Sequence, residues 1–68
     1  MKFLSLIRKK QGLTQSDLAQ LVGLRMNSIA RYERGEVQPS AQKAIAIAHA
    51  LNVNVTELFY GSDSSLGA

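Results

Sequence analysis

In the stretch QSDLAQLVGLRMNSIARYERG, residues 15–35, two short helical patterns are separated by a glycine and a tight turn. Leu18, Leu21 and Val22 form an apolar face on the first, and Ile29 and Tyr32 resume the period after Leu24. A turn of about three residues between helices this short sets them at a steep angle, as a helix-turn-helix. That geometry puts specific demands on Leu18, Ala19, Val22, Gly23, Leu24, Ile29 and Tyr32. Ala19 must be small where the second helix crosses it, Gly23 must accept positive φ, and the others must be buried contacts. All seven positions comply.

The flanking sequence supplies three more helices. Phe3, Leu4 and Ile7 recur at helical spacing, and a basic turn of Arg8, Lys9 and Lys10 precedes Gly12, predicting a first helix over about 2–11. Thr14 caps the second helix, over 15–22, with Asp17 in its first turn. The third covers 26–34 and stops at Gly35, and Pro39 keeps the VQPS connection extended. Ser40 caps a fourth helix over 41–51, alanine-rich with Ile45, Ala48 and Leu51 on one face. Asn52 takes the left-handed conformation that ends it, and Asn54 with Glu57 reads as a capping box opening a fifth helix over 55–60. The expectation is an all-α, compact five-helix domain over 1–60, with 61–68 (GSDSSLGA) a flexible C-terminal tail.

With 68 residues and no cysteine, one core must hold this chain by burial alone, and a reducing cytoplasm is its natural setting. No apolar run approaches the roughly 18 residues of a membrane span, and MKFLSLIRKK has too short an apolar stretch for a signal peptide. Net charge is +3, unevenly placed: residues 1–34 carry seven Lys/Arg against two Asp/Glu, and residues 35–68 one against three. A basic front half suits a polyanion, and equally a solvated face.

The residues IRKKQGLTQSDLAQLVGL, SIARYERGE, PS and IAHALNVNVTELF together resemble the phage repressor and Cro-like helix-turn-helix domains of the lambda-repressor-like five-helix fold. The resemblance spans nearly the whole chain. It implies a sequence-specific DNA-binding transcriptional regulator, a homodimer on a palindromic operator, cytoplasmic and nucleoid-associated. Arg25 departs from the family's usual serine or threonine cap before the third helix, and Asn52 from its usual glycine.

In this geometry the N-terminal part of the third helix enters the major groove, making Met26, Asn27, Ser28 and Arg31 the base-reading candidates. Arginine can make two hydrogen bonds to guanine, asparagine two to adenine, and methionine an apolar contact with a thymine methyl. Read without the resemblance, Met26, Asn27 and Ser28 fit ordinary solvated residues near a helix start. Gln15 resembles the family position that hydrogen-bonds a phosphate, and Arg25, Arg34 and Lys43 are the charge contacts expected there. The family also pairs the positions of Arg8 and Glu33 as a structural ion pair.

Val53, Val55, Phe59 and Tyr60 supply more apolar surface than a short terminal helix needs, making them the expected dimer interface; alternatively, Val55 and Phe59 merely close the core with Leu58. His49 is the only histidine, expected to be partly exposed and without a metal or catalytic role. No cofactor, small-molecule effector or enzymatic constellation is indicated. The competing reading is a protein-interaction module, such as an antitoxin, whose basic face meets an acidic protein.

Overall fold

Three of the helix starts in this chain are fixed by polar side chains, and those local contacts help set the architecture. The computed structural model describes residues 1–61, comprising α1 (Leu4–Lys10), α2 (Gln15–Val22), α3 (Met26–Arg34), α4 (Ala41–Leu51) and α5 (Val55–Tyr60), with no strand among them. The expected tail lies outside the described residues except for Gly61. At the start of α2 the Asp17 amide donates to Thr14 Oγ1 and the Thr14 amide to an Asp17 carboxylate oxygen, both at 2.9 Å. This reciprocal box satisfies two amides that helix geometry leaves without partners. Ser40 accepts from the Lys43 amide at the head of α4, and Glu57 accepts from the Asn54 amide at the head of α5. Arg25 caps α3 with no side-chain hydrogen bond, so that helix relies on packing.

Left-handed residues end the helices. Gly23 (φ 70°) closes α2, Gly35 (φ 74°) closes α3 and Asn52 (φ 58°) closes α4. The last is the one non-glycine of positive φ among the described residues, a conformation that asparagine tolerates better than most.

The core is built where the helices cross. Leu4, Leu18, Ile29, Ile47, Leu51 and Leu58 are fully buried, one or more from every helix, each contributing about 2 kcal/mol of transfer free energy. Helices α2 and α3 pack most closely, with Ala19 buried at their crossing, and α4 packs against both α2 and α5. Met1, Ala44, Ala48 and Tyr32 complete the buried cluster.

Two expectations about helix faces fail. Leu21 was expected on the buried face of α2 and Ile45 on that of α4, yet each is 60% exposed. Ala44 and Ile47 take the core positions on α4 instead, while Leu21 and Ile45 line a shallow groove between α2 and α4 with Val22, Ala46 and His49. The helix crossing buries a narrower arc of each helix than the apolar residues occupy. Helix α1 is also shorter than expected, starting at Leu4, with the Phe3 amide donating to the Leu58 carbonyl at 2.9 Å.

Candidate nucleic-acid interface

Helix α3 is anchored by one face and open on the other. Ile29, Ala30 and Tyr32 are buried, whereas Met26, Asn27 and Arg31 are exposed and Ser28 is half-buried. With apolar and polar residues so divided around the helix, α3 is held as a rigid rod with a free polar side. Backbone geometry sets its direction: the Gly23 and Leu24 amides both donate to the Ala19 carbonyl, folding the turn back on α2.

Behind this surface lies a partly buried polar cluster. Arg8 Nε and Nη2 donate to the two Glu33 carboxylate oxygens at 2.6 and 3.2 Å, with the side chains 8% and 7% exposed. Arg8 Nη1 donates at 2.8 Å to the Leu13 carbonyl, and Gln15 Nε2 donates at 2.9 Å to Glu33 Oε1. The cluster thus ties α1, the connection before α2 and the start of α2 to the last turn of α3. Burial pushes the Glu33 carboxyl up, but the hydrogen bonds from Arg8 and Gln15 and the Arg8 and Lys9 charges outweigh it, leaving the group below its usual range. The expected Arg8–Glu33 pair is present. Gln15 joins it through one N–H, and its other amide N–H has no partner among the described residues.

The remaining expected cations are Arg25, Arg34 and Lys43, all exposed and spread over the start of α3, its end and the first turn of α4. Arg34 pairs with Glu36, which also lies 3.6 Å from Arg31 Nε. The hydrogen bond from Arg34 and the charges of both arginines outweigh desolvation and hold the Glu36 carboxyl below its usual range, so it is anionic at neutral pH. Sequence reasoning did not assign Glu36 a role; the available signal was its place just past a left-handed glycine that ends an arginine-bearing helix.

On α5 and the connection before it, Val53, Val55 and Phe59 are partly buried against the core, and only Tyr60 of the expected dimer quartet is strongly exposed, at 65%. His49 is exposed. No group of three metal-capable side chains occurs among the described residues, and none of their helices is long and apolar enough to cross a membrane.

A tight pair of crossed helices with a polar outer face is the geometry of a helix-turn-helix domain. A helix-turn-helix family model of the Cro/C1 type matches residues 4–58. The chain is 39% identical over 59 residues to an uncharacterized HTH-type transcriptional regulator of Archaeoglobus fulgidus, covering 87% of this chain and 84% of that protein. It is 35% identical over 51 residues to the cryptic phage CTXphi transcriptional repressor RstR of Vibrio cholerae, covering 75% of this chain and 46% of the repressor. It is also 35% identical over 60 residues to the antitoxin PezA of Streptococcus pneumoniae, covering 88% of this chain and 37% of the antitoxin. The chain belongs to the Cro/C1-type helix-turn-helix family of transcriptional regulators.

Proposed function

We propose that this protein is a sequence-specific DNA-binding regulator, a repressor or restriction-modification controller, that binds a palindromic operator as a homodimer with α3 in the major groove. The observation that carries this reading is the division of α3, with Ile29, Ala30 and Tyr32 buried while Met26, Asn27 and Arg31 face solvent. Arg31 and Asn27 carry the donor and acceptor sets that distinguish guanine and adenine in the major groove, Met26 offers an apolar contact for thymine, and Ser28 adds a hydroxyl at the groove edge. Gln15, Arg25, Arg34 and Lys43 hold phosphates and contribute affinity without sequence preference. The similarity to a named phage repressor supports the repressing role.

One short helix reads one half-site, so the operator is met by two copies whose recognition helices lie roughly 34–36 Å apart. The second copy docks through Val53, Val55, Phe59 and Tyr60, with exposed Tyr60 at the centre of the contact. Residues 1–60 form the DNA-binding domain, working in the cytoplasm at the nucleoid.

The test is a titration of labelled duplexes across a salt series, with the stoichiometry measured on the bound species. The reading requires two chains per preferred duplex and affinity falling steeply with salt. The similarity to a named antitoxin favours a second reading, in which the main partner is a protein. That reading requires tight protein binding and no base preference.

A further inference from the structure

Glu36 places a fixed negative charge on a surface that, in the proposed reading, meets a polyanion. Its position is pinned by backbone: Gly35 adopts φ 74°, the Glu36 amide donates to the Arg31 carbonyl at 3.0 Å, and the Gly35 amide to the Tyr32 carbonyl at 3.2 Å. These are the paired bonds of a Schellman turn, which reverses the chain over the last turn of its own helix. The Glu36 carboxylate therefore returns to α3, hydrogen-bonding Arg34 Nε and lying 3.6 Å from Arg31 Nε. All three side chains are about half exposed, at 49% for Arg31, 54% for Arg34 and 48% for Glu36.

We propose that Glu36 is a specificity-determining positioning residue, holding Arg31 for a base rather than for phosphates and lowering, without removing, the phosphate contribution of Arg34. The inference rests on the DNA-reading function above. Ion pairs this exposed are weak, so the arginines exchange partners readily when a better acceptor arrives. A duplex of unrelated sequence offers only phosphates, and reaching them draws two guanidiniums off the carboxylate while pressing backbone charge against it. Like charges brought together in an interface repel more strongly than in open water. A matching site offers Arg31 a two-bond contact on a base, and Glu36 orients the guanidinium for it beforehand; that gain is lost with the carboxylate, is not shared by an unrelated duplex, and offsets the repulsion. The carboxylate thus weakens wrong complexes more than right ones.

The experiment compares wild type, E36Q and E36D on two probes: the duplex enriched from a random library by the wild-type chain, and an unrelated duplex of equal length. E36Q tightens binding to the unrelated duplex by about fivefold and steepens its salt slope by about one, while the enriched duplex changes by less than about twofold. E36D keeps the charge and holds the ratio of the two affinities within about twofold of wild type. Thermal melts of the three chains coincide, because Glu36 is exposed and makes no core contact. An unchanged ratio in E36Q, or equal tightening on both probes, overturns the role of Glu36 while the DNA-reading function stands. A wild-type chain that enriches no duplex overturns both.

Discussion

Arg8 and Glu33 are the charged residues that brace α3 against α1 behind the proposed DNA-reading face. Their side chains are 8% and 7% exposed, so removing one leaves a buried charge without its partner. Glu33→Gln should cost about 3 kcal/mol in urea melts, against under about 1 kcal/mol for a solvated pair. Because the folded Glu33 carboxyl titrates below the ordinary glutamate range, held down by the Arg8 and Gln15 hydrogen bonds against the opposing effect of burial, the unfolded chain binds more protons there. Its stabilisation is therefore present above the ordinary glutamate range and lost as pH falls through the lower folded value, and melts of E33Q should lack that share of the acid sensitivity. The two arginines of α3 are expected to part company. Arg31→Ala should lose about 1–3 kcal/mol on the preferred duplex and relax the choice at one base pair, whereas Arg34→Ala should weaken all duplexes alike with a shallower salt slope. The Arg8–Glu33 pair was visible through resemblance, but the Gln15 amide on Glu33 and the Glu36 carboxylate on two arginines were not. Long polar side chains meet where distant segments converge, and no local period reports that convergence.

Elements were easier to read than faces. The bounds of α2, α3, α4 and α5 match expectation because Thr14, Ser40, Glu57, Gly23, Gly35 and Asn52 act through bonds or dihedrals a few residues away. The fates of Leu21 and Ile45 could not be read this way, since a period identifies an apolar stripe but the crossing angle decides which edge of it is covered. The correction has a measurable side: Leu18→Ala should cost about 3 kcal/mol, while Leu21→Ala should cost far less, about 0.5 kcal/mol. The turn between α2 and α3 can be probed as directly. A Cβ at Gly23 would meet nothing within 4 Å, so Gly23→Ala carries only the strain of a left-handed alanine at φ 70°. A loss of about 1–2 kcal/mol in the urea midpoint, with an unchanged slope, is expected.

At the scale of the whole molecule, a domain built from five short helices gains function by exposing one of them on a stable support. The Arg8–Glu33–Gln15 cluster, the Gly23 turn and the buried face of α3 all serve to fix that helix. The front half of the chain carries a net +5 against −2 in the rest, and the helix proposed to read DNA lies within it. Family membership and the all-α architecture follow from the sequence, whereas pairing of two copies depends on surface that one chain does not bury. In vitro selection from random duplexes, run in parallel with wild type and Arg31→Ala, decides whether α3 reads bases. Wild type should enrich a two-fold symmetric sequence, and Arg31→Ala should lose the preference at one symmetry-related pair of positions. Enrichment of no sequence, or an unaltered preference without Arg31, would contradict base reading by α3.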